Sequence, residues 1–483
     1  MSTYFAQEEH EADEKLIDKR PQDISQFQSY HLLDEAIEEL GVGRYQRIVF
    51  WLSIATLFLN TSELSLTPLL FVEFTTEWHV SATKLALVGS LAHLGNLAGG
   101  IFFGWFSDTY GRVRGIMPTL FASIVIGFAS SFAHDVICFS LFRMFLAFFI
   151  QGLHIMTNIL LVESVPTSSQ ASMVVQSSVA VSISHAMMVL LAWLLFPTMG
   201  WRFVLQMVAV FSIPVFFLAM HVTESPRYYI MKGDGAHAEE CIRFIAKKNG
   251  KKSPAYFCSE NLVRTRQESR CRCFRSKDLL TLLPIGLVWM TLSIGSGLLG
   301  FLPMELKRFL GGTETAYIVA LVLALSNFIA TGLNLYCIRS FRRITMIQST
   351  LLISAGLVLL LGVIGRHTVA IFVVVFVMHM FCGLTSGTLY VYISEVSPTR
   401  IRASSTAFVL CFSKLGGIIG PFIAAVGYSN LSVFWFCFTF SMIYLAAAIF
   451  GCLLTVDPFV SKTLVEDDDL PQVLPLCTEE YDI

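Results

Sequence analysis

Apolar runs of about 20 residues, the length of helix needed to cross a bilayer, recur from residue 48 to residue 456 and constrain this chain more than any other feature. Divided at charged or Gly/Pro-rich breaks, they fall at 48–71, 85–107, 115–133, 136–162, 172–196 and 203–222, then at 279–303, 316–337, 345–364, 369–393, 404–427 and 433–456. Charged residues make up only 14% of the chain and hydrophobic ones 55%, whereas a soluble domain carries about 25% charge. A water-soluble fold has no place to hide that much apolar side chain. The expected class is an all-α membrane protein with twelve transmembrane helices in two six-helix bundles. A soluble enzyme and a nucleic-acid-binding protein are excluded, and no G-x-x-x-x-G-K-[ST] loop supports an ATP-driven pump. No cofactor is expected.

The polar stretches give the expected organisation: a cytosolic tail with an amphipathic helix over 1–47, a first bundle over 48–222, a cytosolic central loop with short helices over 223–278, a second bundle over 279–456 and an acidic tail over 457–483. Residues 1–47 lack a basic segment leading into a short apolar core, so they do not read as a cleaved signal peptide. Placed by this topology, 26 Lys and Arg lie on the side of the termini and 5 on the other. By the positive-inside rule both termini are cytosolic. The central loop holds 13 basic and 7 acidic residues, which suits contact with anionic lipid headgroups. Within it Cys241, Ile242, Ile245 and Ala246 have the spacing of an amphipathic helix. The 11 cysteines form no extracellular disulfide framework, and Cys271 and Cys273 read as reduced thiols or palmitoylation sites. The sequons at Asn60 and Asn430 fall inside a span and in a very short loop, so no glycan is expected.

The halves repeat each other. Glu163-Ser-Val-Pro166 after span 4 recurs as Glu395-Val-Ser-Pro398 after span 10, at an offset of 232, and Arg112 in the loop after span 2 recurs as Arg342 after span 8, at an offset of 230. Parallel six-span repeats are a transporter architecture, with a substrate site near the midplane between them. The segment Gly104-Trp-Phe-Ser-Asp108-Thr-Tyr-Gly111-Arg112 resembles the G-x-x-x-D-x-x-G-R signature of the major facilitator superfamily. The lead-in from Leu33 to Gln46 is similar to that of synaptic-vesicle-2-related proteins. Glu224-Ser-Pro-Arg227 and the stretch from Tyr392 to Arg402 resemble motifs of sugar porters and organic ion transporters. The short connection Val72 to Lys84, in place of a large Cys-rich loop, favours the synaptic-vesicle-2-related branch.

The loop residues have a physical reading of their own. Gly104 lets span 2 approach a neighbour closely, and Asp108 and Arg112 form a charge-assisted pair or caps at helix ends. The resemblance implies a gating network in which Glu163, Glu224, Arg227, Arg342, Glu395 and Arg402 join them to hold the cytosolic side closed. The alternative is that these residues only cap helices and set topology. Two departures stand out: Gln170 replaces the family arginine of the first half, and the run Ile338 to Arg343 lacks the acidic residue and the glycine.

Charges within spans are expensive and therefore functional candidates. Glu63 lies mid-span 1, one turn from Asn60, as a substrate or ion contact or as the partner of Arg143 in span 4. By resemblance the position of Asn60 commonly carries an Asp, so proton coupling there is in question. Lys414 in span 11 matches a cavity-lining position of organic ion transporters, where a lysine implies an anionic or zwitterionic substrate; pairing with Glu63 and snorkelling are the alternatives. Arg143 is either a substrate contact or a structural group. His154, His185 and His379 are neutral hydrogen-bonded residues or proton relays. Trp193, Trp289, Tyr390 and Tyr392 line a cavity or pack. Gly295, Gly297, Gly300 and Pro303 in span 7 allow bending or close packing.

The expected function is secondary active transport of a small organic anion or zwitterion by alternating access, with H+ or another coupling ion, by a monomer in the plasma or an intracellular vesicle membrane. The alternative is a non-transporting relative that acts in regulation or as a receptor. A channel lacks a recognisable filter.

Overall fold

The computed structural model describes residues 21–258, 276–312, 314–365, 367–397 and 402–454. The side chain of Arg402, the thiols of Cys271 and Cys273 and the acidic tail lie outside the described residues. Spans 1 to 4 are Arg44–Glu77, Ala82–Tyr110, Arg112–Ser130 and Val136–Ser164. Spans 7 to 12 are Ser276–Leu310, Thr315–Ser340, Arg343–Val363, Thr368–Val396, Arg402–Asn430 and Val433–Gly451. Between them runs one 53-residue helix, Thr167–Ala219.

That helix supplies two spans. At 1.5 Å per residue it would be about 80 Å long, far more than a bilayer core of about 30 Å. At Gly200 the backbone leaves the helical region (φ 80°, ψ 162°). Both outer ends sit on the same side: Ser168 is bonded by Glu38 of the N-terminal segment, and Thr223, just after the helix, accepts a bond from Tyr45 at the start of span 1. The chain therefore reverses at Gly200, and spans 5 and 6 complete a set of twelve.

Hydrocarbon offers no partner for peptide groups, so a helix that satisfies them internally is the form these runs take. Prolines 68, 118, 214, 284, 303 and 421 are accommodated within spans. Large apolar side chains such as Trp51, Ile101, Phe121, Leu194 and Val369 face outward, as expected where the surrounding solvent is lipid.

Spans 1 to 6 pack chiefly on one another, as do spans 7 to 12. The halves meet where span 2 lies on span 11, span 5 on span 8 and span 1 on span 7. A shift of six spans exchanges the first two pairs and maps the third onto itself, so the interface keeps the two-fold character of the repeat. Within the first half, Gly95 and Gly99 of span 2 lie against the backbone of Met144 and Phe148 of span 4, where a Cβ would overlap. At Gly104 a Cβ would meet nothing within 4 Å. The close approach expected at Gly104 is thus made earlier on the same helix.

Three further helices cover the end of the first half that bears the termini: α1 Pro21–Leu40, α2 Pro226–Met231 and α3 Gly235–Asn249. The apolar face of α3 is buried and includes Ala238, Cys241, Ile242, Ile245 and Ala246. Burial pushes the Cys241 thiol up to about 11, so it packs as a small neutral group. The helix stops at Gly250 in the left-handed region, φ 69°. Its last residue, Asn249, accepts from the Tyr45 amide at the start of span 1 and donates to Gln46, whose amide reaches the Ser164 carbonyl at the end of span 4.

Candidate functional site

On the side of the termini, Arg112 is 3% exposed and sits at the first turn of span 3. Its guanidinium lies 3.0 Å from Glu163 at the end of span 4 and 3.4 Å from Asp108. It also donates to the Ser107 carbonyl and lies over the Tyr228 ring. The Asp108 side chain is 72% exposed, so water screens that pair and it adds little. Glu224 accepts from the amides of Arg112 and Val113, each at 2.9 Å. A carboxylate is thereby placed on the positive end of span 3. Gly111 makes room for it: φ there is 108°, and a Cβ would stand 2.5 Å from Glu224 Oε2. Burial pushes the Tyr228 phenol above its usual range, and as a neutral hydroxyl it donates to the Thr109 carbonyl. Arg227 reaches Asp34 of α1 at 2.5 Å, and Glu38 caps the start of span 5 through Ser168. Gln170 donates to the carbonyls of Val162 and Val165, bracing the turn in which the family pattern has an arginine.

The second half repeats the arginine–glutamate pair. Arg343, buried at the first residue of span 9, makes a two-pronged pair with Glu395 at 3.1 Å and also donates to the carbonyls of Ile338 and Phe341. Arg342 occupies the position just before the helix and is exposed. Position 343, not 342, is therefore the structural equivalent of Arg112, because it holds the same place in the helix and faces the repeat-related carboxylate. The offset is then 231, one residue from the 232 of the glutamates.

Within the membrane, Arg143 of span 4 is 1% exposed and ion-paired with Glu63 of span 1. It also donates to the Glu63 carbonyl at 2.6 Å and to Thr67 at 3.2 Å, and lies over the Phe139 ring. The Glu63 side chain borders a void inside the first bundle, with Ser123, Ser130 and Ser212 around it and room for about one water. Asn60 is partly buried on the same helix. Lys414 has no ion pair or hydrogen bond among the described residues; its electrostatic neighbours are His93 of span 2 and His154 of span 4. The structure thus brings Glu63 to Arg143 and leaves Lys414 apart from both.

His185 of span 5 lies within electrostatic reach of His379 of span 10, which is 2.6 Å from the Ser326 hydroxyl. Tyr390 packs edge-on against Trp289, 4.5 Å between centroids. Half of its surface remains exposed. Tyr392, by contrast, is 1% exposed and packs in the core.

On the far side the halves are sealed together. Tyr317 of span 8 donates to Glu73 of span 1 at 3.1 Å and stacks on Trp193 of span 5. Phe71 meets Phe301 across spans 1 and 7, and Ser90 donates to the Ile418 carbonyl across spans 2 and 11. Nearer the midplane Ser182 and Thr331 join spans 5 and 8 at 3.1 Å. Tyr390 is near the end of span 10, on the termini side of this seal. Sequence reasoning missed His93, Glu73 and Tyr317. His93 is, like the three histidines singled out, an isolated ionisable group in a span, and that signal was available.

Comparison with known proteins agrees with this geometry. The family model described as sugar (and other) transporter matches residues 26–467. Synaptic vesicle 2-related protein of Xenopus laevis is 25% identical over 453 residues, covering 88% of this chain and 81% of its own length. The putative transporter SVOPL of Danio rerio is 24% identical, covering 82% and 83%. Among solved structures, the inward-open xylose transporter XylE of E. coli superposes with a TM-score of 0.70 at 14% identity, over 86% of this chain and 97% of that one.

Proposed function

The chain belongs to the sugar (and other) transporter family, a membrane transporter family of major facilitator fold, and from that membership we propose that it carries a small organic anion or zwitterion by alternating access. The observation that carries the substrate class is Lys414. An ammonium within the membrane is costly unless something answers its charge, and Glu63, the nearest carboxylate in prospect from the sequence, is taken by Arg143. A substrate carboxylate supplies what the protein leaves out.

Glu63 and Arg143 pin span 1 to span 4, so the first bundle moves as a body. Contacts of Tyr317, Glu73 and Phe71 close the far side, which suits one of the two end states that alternating access requires. Arg112 with Glu163 and Arg343 with Glu395 brace the ends of their own halves in this state. Both termini are assigned to the cytosol on the distribution of basic residues, and the protein to a plasma or vesicle membrane as a monomer; one relative is named for a synaptic vesicle protein. The coupling ion is H+ or another small ion.

Uptake into proteoliposomes across a panel of organic anions, cations and sugars, with and without a pH gradient, tests the reading. A hydrogen bond to a charged group is worth about 1.5–3 kcal/mol, so Lys414→Ala is expected to reduce anion uptake about 10- to 100-fold while the protein stays folded. Undiminished anion uptake by Lys414→Ala would overturn the anion assignment. The regulatory reading draws on span 1, where Asn60 and the committed Glu63 leave no free carboxylate for coupling. Absence of uptake for every solute in the panel would favour it.

A further inference from the structure

Two imidazoles near Lys414 have no part in the reading above. His93 on span 2 lies so close to span 11 that a Cβ on Gly417 would overlap its ring. Lys414 stands three residues before Gly417 on the same helix face. His154 approaches from span 4, and both rings lie within the electrostatic reach of the Lys414 ammonium. Each ring has its Nδ1 sealed from solvent with no hydrogen-bond partner, and neither ring nitrogen nor the ammonium bonds to a described protein group. Three nitrogen-bearing side chains from spans 2, 4 and 11 therefore converge with their polar capacity unspent, although buried polar groups are ordinarily satisfied.

The internal repeat shows that the fold itself does not require this cluster. At the offset of 232 the counterparts of His93, His154 and Lys414 are Leu325, Ser386 and Ser182. Ser386 and Ser182 both make protein hydrogen bonds.

We propose that His93 and His154 are specificity-determining residues which, together with Lys414, select a small anion bearing a second oxygen acceptor, such as a dicarboxylate or hydroxycarboxylate, over a simple monocarboxylate. The inference rests on the reading that the carrier moves an anion. The ammonium of the second half takes one carboxylate. Imidazole N–H groups of the first half take the other oxygen acceptor. Because the two sets belong to different halves, a solute with both groups spans the interface, whereas a monocarboxylate engages one side only.

The test compares succinate with butyrate, which share a four-carbon chain and differ by one carboxylate, in proteoliposomes holding the full-length protein. Wild type is expected to take up succinate with at least about tenfold preference, since one hydrogen bond to a charged group is worth about a decade in affinity. His93→Leu and His154→Leu are each expected to raise the KM for succinate about tenfold and leave that for butyrate unchanged; His93→Gln and His154→Gln, which keep a donor, recover part of the loss. A purely structural role would instead lower the maximal rate for both solutes, together with the melting temperature. If a leucine variant does not fold, the glutamine variant of the same residue is read. Equal handling of succinate and butyrate by wild type, or unaltered selectivity in the variants, overturns this inference while the anion reading stands. No uptake of either solute, with cations or sugars transported instead, overturns both.

Discussion

The two loops that the internal repeat makes equivalent are built to different standards. In the first half Arg112 joins Glu163, Asp108, the Ser107 carbonyl and the Tyr228 ring, while Glu224 caps the following span and α1 to α3 lie over the whole end. In the second half the described contacts of Arg343 include the Glu395 carboxylate and two carbonyls of its own loop. The difference is visible in the backbone. Gly111 adopts φ 108° because the Glu224 carboxylate fills the space of its Cβ; Arg342, at the matching position, has an ordinary extended backbone, φ −63° and ψ 135°. A glycine is needed only where a cap comes in from another element. The first half is thus a braced platform with a cap brought in from another element, and the described part of the second is built around the Arg343–Glu395 pair.

Removing the acidic partner of each arginine separates the two arrangements most strongly. Glu395→Ala removes the carboxylate that faces the buried Arg343 guanidinium and is expected to cost about 3–5 kcal/mol, as for other broken buried pairs. Glu163→Ala leaves Arg112 with the Ser107 carbonyl, the Tyr228 ring and the screened Asp108, and the loss of one hydrogen bond to a charged group, about 1.5–3 kcal/mol, is expected. Thermal unfolding in detergent checks the order; a larger loss at Glu163 would refute the contrast.

The glycine comes next. Gly111→Ala combines a disfavoured backbone with a clash against Glu224 and is expected to cost about 1–3 kcal/mol, whereas Arg342→Ala at an exposed cap should stay within about 0.5 kcal/mol. Equal melting temperatures for the two variants would mean that Glu224 does not require the glycine.

The smallest expected effect concerns the far side, where both halves contribute. Tyr317→Phe removes the hydrogen bond to Glu73 and keeps the stacking on Trp193; because Glu73 is only partly buried and water can replace the donor, about 0.5–1.5 kcal/mol of the seal should be lost. That shifts the equilibrium between end states toward opening on the far side by roughly 2- to 13-fold. Accessibility of a cysteine placed beside Phe301 reads it, and unchanged labelling would remove Tyr317 from the gate.

The same contrast explains what was legible in the chain. The motif Gly104 to Arg112 and the glutamates 163 and 395 could be read because they lie in short loops whose partners are a few residues from helix ends. Arg342 and Arg343 could not be told apart, since one residue of helix phase decides which of two adjacent arginines turns inward. Gly104 was read as a packing glycine, but packing depends on the neighbour, and span 4 comes closest at Gly95 and Gly99. His93 could be read as an ionisable group in a span, but its closeness to span 11 at Gly417, more than 300 residues away, could not.

By itself the sequence determined the twelve spans, the six-plus-six repeat and the crowding of basic residues on one side, because the transfer of an apolar run into lipid and the retention of charge at its ends are properties of local segments. The tertiary structure alone decided how the intramembrane charges divide, with Glu63 given to Arg143 and Lys414 left facing two histidines. Pairing between helices depends on their rotation and crossing, and a one-dimensional pattern does not carry that information.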